Sequence, residues 1–464
     1  MKIRALLLGI AMIATVSCGT SSRAIRTRVP ARPVGQQDVI GLTAEPLEVV
    51  RIGVVGLGSR GSFAVERLTF VTGAAVTALC DVETDRAETS LAYLRSRGLP
   101  DAEVFAGSVD SWKKLCESNN VDLVYICTDW VNHAPIAKYA MECGKHTAIE
   151  VPAAMNLDEI WALVNASERT RKHCMMLENC VYDFFELSTL RMAQEGVFGE
   201  VIHCEGSYFH NLDNIWHSYW HGWRSEYNRS HRGDLYPTHG LGPVCQVLNI
   251  HRGDRMKTLV AMDTRSFNGG KIVERLSGEP CEDFKNGDQT STMISTVNGK
   301  TILIEHDVLT PRPYNRMYQV VGTDGYAAKY PVPQICLRND EGGDGRGRYV
   351  APEKVLSAEQ INELQGKYPS RILTPELAAL AKKVGGHGGM DFIMDYRLVF
   401  CLRNGLPLDM DVYDLAEWCS LIPLSELSIE NGNAPVEVPD FTRGAWNVVK
   451  GFSYAFTEHE AECL

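Results

Sequence analysis

The sequence predicts an α/β protein in two folded parts: a doubly wound parallel sheet first, then a second α/β domain with an open, mostly antiparallel sheet. Three observations carry this. From residue 49 to about residue 180, short β-branched runs alternate with stretches of helical period. The first run passes directly into Gly56-Leu57-Gly58-Ser59-Arg60-Gly61, a G-x-G-x-x-G with a strand before it and a helix after it. From residue 256 onward, strand-length runs follow one another across short turns such as Asn298-Gly299.

Taken in order, residues 49–55 read as a buried strand and the helix after the glycine loop runs to about 70. Residues 75–80 form the second strand, ending at Asp81. A helix over 84–97 is stopped by Gly98 and Pro100, and Ser108 can cap a helix reaching about 117. The strand over 121–128 leads into a loop, Asp129-Trp130-Val131-Asn132-His133, after which Pro135 is expected to open a helix that Gly144 ends. The strand over 146–149 ends at Glu150-Val151-Pro152, a helix covers 157–171, and the strand over 174–178 ends at Asn179. In the second part, strands are expected over 256–264, 290–296, 301–306, 317–322 and 325–330. Residues 338–350 read as a loop, and helices are expected over 357–366, 375–384 and 390–403.

The chain of 464 residues is long enough for two or three domains. Residues 1–18 form an apolar run behind Lys2 and Arg4, too short to span a bilayer and shaped like an export signal. Its end, Thr15-Val16-Ser17-Cys18, resembles a bacterial lipoprotein signal, although an ordinary signal that contains a cysteine reads the same way. Residues 19–48 are expected to be a flexible tether, 49–180 the first domain and 181–464 the second. The expected location is therefore outside the cytoplasm, periplasmic or held at the outer membrane by that lipid. A homo-oligomer is left open. The 46 basic and 58 acidic residues form no like-charge block, so a nucleic-acid partner is not expected. No C-x-x-C occurs among the 14 cysteines, which points to free buried thiols.

The glycine loop has a physical task. Gly56 permits the tight turn, Gly58 lets the backbone approach a pyrophosphate, and Gly61 lets the helix pack closely on the strand. The helix N-terminus offers N–H groups to phosphates, and Asp81 can accept from a ribose hydroxyl. No arginine directly follows Asp81, which favours NAD over NADP. This is the layout of a Rossmann domain, whose ligands lie beyond the carboxyl ends of its strands. The expected cofactor site is therefore Gly56, Gly58, Ser59, Arg60, Gly61, Asp81, Trp130, Val131, Asn132, His133, Glu150, Val151 and Asn179.

The glycine loop, Asp81, the segment through His133 and Glu150-x-Pro152 resemble the glucose–fructose oxidoreductase and inositol dehydrogenase family. Dehydrogenases of that family carry lysine between the Glu and the Pro, where this chain has Val151. Residues 233–243, Gly-Asp-Leu-Tyr-Pro-Thr-His-Gly-Leu-Gly-Pro, resemble the signature of glycoside hydrolase family 109, the NAD-dependent α-N-acetylgalactosaminidases. Gly385-Gly386-His387-Gly388-Gly389-Met390-Asp391 resembles a later motif of that group. The resemblance implies His239 as acid/base, Tyr314 beside it in catalysis, and Tyr208, Arg224, Tyr236, Pro237, Thr238, His239 and Tyr314 as sugar contacts. It also implies a redox-neutral course: oxidation at C3 of the sugar, loss of the C2 proton, elimination of the aglycone, addition of water and return of the hydride.

Read on their own, these residues fit that chemistry. An imidazole with an ordinary pKa of about 6.5 moves protons at neutral pH. Gly240 and Gly242 beside His239 let a ligand or a backbone come close. Trp216, Trp220 and Trp223 could stack on a sugar or belong to the core, and Arg224 could bind hydroxyls or form a salt bridge. His217 and His221 have helical i,i+4 spacing, but no carboxylate at metal spacing accompanies them, so no metal is expected. Three functions compete: an exported NAD-dependent glycosidase, a sugar dehydrogenase of the same fold, and a carbohydrate-binding lipoprotein with a vestigial nucleotide site.

Overall fold

The structure, a computed structural model, describes residues 24–213, 215–216, 222–338 and 354–457. The expectations for the export signal, Cys18, His217, Trp220, His221 and most of the 338–350 loop concern residues outside these.

The first sheet is built from β1 (Val50–Val55), β2 (Ala74–Asp81), β3 (Glu103–Ala106), β4 (Leu123–Ile126), β5 (His146–Ile149) and β6 (Cys174–Met176). Its order is β3-β2-β1-β4-β5-β6 and every pair is parallel. Helices α1 (Ser59–Leu68), α2 (Thr84–Ser96), α3 (Ser111–Glu117), α4 (Trp130–Glu142) and α5 (Leu157–Thr170) connect the strands. The strands β4, β5 and β6 are buried along their whole length, as a sheet covered on both faces requires.

Two local expectations are corrected. The segment after β4 is not a loop, because α4 begins at Trp130 and Pro135 sits inside it. As the sixth residue of α4, Pro135 gives up the bond that a backbone N–H would make to the Val131 carbonyl. The sixth strand stops at Met176, and Asn179–Tyr182 form a turn of 3₁₀ helix whose first N–H, on Cys180, is accepted by Glu178.

The second sheet has eight strands: β7 (Val201–Phe209), β8 (Met256–Asp263), β9 (Thr290–Thr296), β10 (Thr301–Asp307), β11 (Gln319–Gly322), β12 (Gly325–Ala328), β13 (Gln334–Leu337) and β14 (Val436–Glu437). Their order is β13-β12-β11-β7-β10-β9-β8-β14, with only β7 and β10 parallel. The run around Cys204 is strand-like in sequence, and β7 extends it through Gly206 and polar residues that interrupt the apolar pattern. The helix Val412–Glu430 has no counterpart among the expected elements, because it is buried on almost every side and so has no amphipathic stripe to detect. Among the described residues, no helix is long and apolar enough to cross a membrane.

The expected tether is a packed strap from residue 24 onward. Ile25 exchanges backbone hydrogen bonds with the edge strand β14, donating to Pro435 O and accepting from Glu437 N. Arg32 forks onto the fully buried carboxylate of Glu168, which also takes Arg443 and the Tyr413 hydroxyl. Val39 is buried. An unpaired carboxylate at Glu168 would cost several kcal/mol, on the order of the penalty for any stranded buried charge, so the strap is bound by charge as well as by apolar contact.

Twelve described cysteines are free thiols, most of them buried. Three buried histidines resist protonation: burial pushes His146 down to about 3, His173 to about 4 and His306 to about 3. Each native value lies below the ordinary one, so the unfolded chain binds protons that the native state refuses. Stability is therefore fully present above pH about 6.5 and falls as the pH drops toward 4, by up to about 1.4 kcal/mol per pH unit for each histidine. Thermal unfolding between pH 7 and pH 4.5 should show a steep loss, and His173→Asn should flatten it. An unchanged slope in that variant would exclude the histidine as a cause.

Candidate active site

The glycine loop is shaped by contact. Gly56 has φ +87°, and a Cβ there would meet the Cys127 carbonyl at 2.7 Å. A Cβ on Gly61 would meet the Gly56 carbonyl oxygen at 1.8 Å, so α1 rests on the turn itself. A Cβ on Gly58 would meet nothing within 4 Å. That open space belongs to a cleft of about 580 Å³ lined by Gly56, Gly58, Ser59, Arg60, Asp81, Arg86, Trp112, Asn132 and Trp223, among others. A long, bare-backboned cleft at a helix N-terminus with a carboxylate at its far end suits a dinucleotide. The Asp81 carboxylate accepts from the backbone N–H of Leu57 (2.6 Å) and of Glu83 (2.8 Å), which fixes its direction. The structure also brings Arg86, five residues on, to 3.6 Å from Asp81, so a cationic side chain does stand at this end of the cleft.

The other predicted cofactor residues divide. Asn132 lines the cleft, whereas Val131 lies exposed on α4 outside its lining. His133 is buried with Nδ1 2.8 Å from Pro152 O and Nε2 3.0 Å from Thr128 O. Burial lowers its pKa, and a neutral ring donates to only one of these carbonyls, so this imidazole braces the backbone. Trp130 leaves the backbone of the cleft to α4 and buries its ring against Trp223 (4.6 Å) and Tyr236 (6.0 Å). Arg60 and Glu150 form an ion pair at 2.7 Å, and Val151 is buried beside it. Asn179 donates to Asp391.

Next to Trp223, which lines the cleft, stands an aromatic wall. Tyr208 and Tyr236 are 4.5 Å apart between ring centroids, and His239 meets them edge-on at 5.5 and 5.0 Å. Arg224 lies over Tyr236 at 5.0 Å and Trp130 at 5.5 Å. The Tyr208 hydroxyl and His210 Nδ1 share a hydrogen bond of 2.8 Å, and Tyr314 packs edge-on against the His210 ring. Pro237 precedes the helix Thr238–Val247, and Thr238 is fully buried at its first turn. Flat rings with a guanidinium above them suit the apolar face and hydroxyl edge of a sugar.

His239 is placed by backbone contact. A Cβ on Gly240 would meet Ser207 N at 2.4 Å, and one on Gly206 would meet Gly240 O at 2.3 Å. The helix therefore lies directly on β7, and the approach that the glycines permit is to a backbone, not to a ligand. In that position His239 Nδ1 is 2.7 Å from Oε1 of Glu178, a residue the sequence reading passed over as the end of a strand. Glu178 has no solvent exposure. Burial alone would raise its pKa, but the His239 imidazole beside it outweighs this and holds it below the ordinary value. A buried anion at Nδ1 fixes the tautomer and leaves Nε2 as the working atom.

Glu178, Cys180 and His239 place one donor atom each within 4.8 Å of one another. The Arg316 guanidinium stands 2.6 Å from Cys180 Sγ, and Glu178 Oε1 already accepts from Cys180 N as well as facing His239. A cation brought to this trio would face a fixed positive charge, so the donor set does not suit a metal.

His387 was missed as a functional residue. Gly385, Gly386, His387, Gly388 and Gly389 all have positive φ, and His387 itself sits at +46°. A non-glycine side chain held in this region marks a constraint worth its strain. The constraint is visible: His387 Nδ1 lies 2.9 Å from Asp391, and a Cβ on Gly386 would meet the Asp391 Cβ at 2.7 Å. The histidine is half-exposed and close enough to lower the pKa of His210, which burial lowers first and Arg224 and His239 lower further. The G-G-H-G-G string was the available signal, since four glycines around one histidine serve backbone geometry.

The fold and this cleft define a nucleotide-dependent enzyme of the oxidoreductase type. The profile of the oxidoreductase family with the NAD-binding Rossmann fold matches residues 50–178. An NAD-binding oxidoreductase from Klebsiella pneumoniae superposes with a TM-score of 0.64 at 20% identity, covering 85% of this chain and 100% of that one. Levoglucosan dehydrogenase in complex with NADH and levoglucosan gives 0.60 at 16% identity, covering 84% and 100%. The profile of the glycosyl hydrolase 109 C-terminal domain matches residues 182–448. Glycosyl hydrolase family 109 protein 1 of Bacteroides thetaiotaomicron is 60% identical over 437 residues, 94% of this chain and 93% of its own length. The protein of the same name from Bacteroides fragilis is 56% identical over 469 residues, 98% and 99% of the two chains. The chain belongs to glycosyl hydrolase family 109 and binds NAD(H).

If Glu178 fixes the His239 tautomer, Glu178→Gln should keep the fold and cofactor binding while kcat falls by about 10²–10⁴, the range seen when the orienting carboxylate of a catalytic histidine is made neutral. Steady-state kinetics with NADH fluorescence titration would measure both. Wild-type turnover in that variant would remove Glu178 from the site.

Proposed function

We propose that this enzyme hydrolyses terminal N-acetyl-α-galactosaminides by a redox-neutral oxidation–elimination–addition–reduction sequence. The observation that carries the reading is the buried Glu178–His239 pair at the seam of the two sheets, facing an aromatic wall with the dinucleotide cleft behind it. Valine at 151 supports it further, because it leaves no lysine there to deprotonate an alcohol that is oxidised for good.

Held by the glycine loop and Asp81, a nicotinamide dinucleotide would supply a reversible hydride acceptor for C3, whose hydroxyl proton would pass to solvent and return with the hydride, and the ketone formed in between would acidify the C2–H. The protein's own groups then handle protons. His239 Nε2 takes the proton from C2 while Glu178 stabilises the imidazolium through Nδ1. Tyr208, Tyr236 and the Arg224 fork hold the ring and its acetamido group. Tyr314, exposed beside His210, closes the rim of the site. His387, oriented by Asp391 through Nδ1, has its Nε2 available to protonate the departing glycosidic oxygen. The paired carboxylates of a displacement glycosidase are not required.

Hydrolysis of an N-acetyl-α-galactosaminide in D₂O should place deuterium at C2 of the product, read by NMR, with no accumulation of NADH. Retention of protium at C2 would reject the mechanism. NADH formed in proportion to product, without hydrolysis, would favour the sugar dehydrogenase instead. Replacing His387 with alanine should cost about 10²–10⁴ in turnover of an alkyl glycoside and far less for a 4-nitrophenyl glycoside, whose leaving group needs no proton. Equal losses on both substrates would take His387 out of the leaving-group step.

A further inference from the structure

Arg60 stands in the glycine loop, where an arginine is naturally read as a ligand of the cofactor's phosphates. Its guanidinium is engaged elsewhere. Nε and Nη2 lie 3.1 and 2.7 Å from Glu150 Oε1, and Nη1 lies 3.3 Å from Asp391 Oδ2. Both carboxylates are almost wholly buried, whereas Arg60 is about one-third exposed. Glu150 directly follows β5 at the carboxyl end of the first sheet, and Asp391 lies in the first turn of the helix Met390–Asn404, within hydrogen-bond distance of His387. One planar fork therefore ties the end of the first sheet to the left-handed glycine arm.

We propose that Arg60 is a positioning residue and not a phosphate ligand: by bridging Glu150 and Asp391 it holds the His387 arm in register with the cofactor and sets the charge that His387 feels. This rests on the reading of His387 given above. A planar fork whose separate nitrogens reach two carboxylates in fixed directions is a geometry that arginine supplies, whereas lysine offers all its donors from one atom.

The charges around His387 make the link testable. Asp391 faces it at Nδ1 from the first turn of the helix Met390–Asn404, and Asn179 Nδ2 lies 3.5 Å away just past the first sheet. From α1 come Arg60 and Arg67, the latter 3.7 Å from Asp391 and 3.0 Å from Asp395. Asp395 also accepts from the Tyr125 hydroxyl. Directly after β7 stands His210, and the packed helix Pro375–Val384 carries Lys382 and Lys383 in its last turn. Burial would raise Asp391, but His387, Arg60 and Arg67 outweigh it and hold it well below the usual carboxylate range. Removing Arg60 removes one of the cations that compete for Asp391, so His387 should hold its proton more tightly.

The test uses the full-length protein with bound NAD. The His387 imidazole resonance is assigned by its loss in His387→Asn and titrated by NMR in wild type, Arg60→Met and Arg60→Lys. Binding of NADH is measured separately by fluorescence. Arg60→Met should raise the His387 midpoint, shift the acid limb of the kcat profile the same way, and lower kcat by about tenfold or more, while NADH binding changes by less than about threefold. Arg60→Lys keeps the charge without the fork and should fall between wild type and Arg60→Met in kcat. A tenfold loss of NADH binding with an unmoved His387 midpoint, in either variant, would overturn the proposal and make Arg60 a phosphate ligand. Should Arg60→Met fail to fold, Arg60→Gln, which also removes the charge, decides by the same two readouts. Neither the midpoint nor NADH binding depends on hydrolysis, so a wild type inactive on the N-acetylgalactosaminide would sink the glycosidase reading alone.

Discussion

The helix Thr238–Val247 lies on strand β7 with backbone against backbone, because Gly206 and Gly240 face each other with no side chain between them. Much of the site hangs on that contact. It presses the helix toward the end of the first sheet, where Glu178 waits without solvent exposure. A methyl group at either glycine would push the helix off by more than an ångström, since the added carbon would lie 2.3–2.4 Å from backbone atoms. The His239–Glu178 pair, at 2.7 Å, has no such distance to give. The His239–Glu178 pair is thus a consequence of how the two sheets meet: Glu178 lies just past the end of β6, and His239 lies on the helix that β7 carries.

Charge does the same work on the cofactor side. Arg60, Arg67, Glu150, Asp391 and Asp395 are linked by contacts of 2.7–3.7 Å that join α1 to the helix Met390–Asn404. Ion pairs taken this far from water are not a cheap source of stability, because desolvation opposes the attraction. Their geometric effect is firmer: a charge stranded by any displacement would cost several kcal/mol, so the elements that carry these residues are held in one arrangement. The strap uses the same device, with Arg32 and Arg443 both on Glu168. Segments with modest apolar content are fastened by charges that cannot afford to separate.

The site also shows how one residue type takes different tasks according to its surroundings. His133 is buried with both ring nitrogens beside backbone carbonyls, to one of which it donates, so it braces. His306 is driven neutral by burial first and by Arg224 next, beneath Tyr208. His239 has a buried anion on one nitrogen, and His387 has a buried anion within reach of solvent. Only the last two combine an orienting carboxylate with some access, the pairing that proton transfer requires.

Local chemistry made much of this protein legible from its residues. The strand, glycine turn, helix and acid of the first domain follow from steric limits on neighbouring backbone, so Gly56, Gly58, Gly61 and Asp81 could be read in place. The motif ending at His239 was legible because it is one continuous string. Tertiary structure alone decided the partners. Glu178 looked like the end of a strand, and it orients a histidine 61 positions away. Arg60 reads from the sequence as a residue of the cofactor site, and its guanidinium reaches Asp391, 331 positions on. Strand β7 and the helix Val412–Glu430 carried no clean period, because one is central to its sheet and broken by a glycine that the site needs, and the other is buried on every side. Sequence determines what a residue does to its neighbours along the chain. The distance between two charges, and the burial that gives that distance its energy, exist only once the sheets have packed.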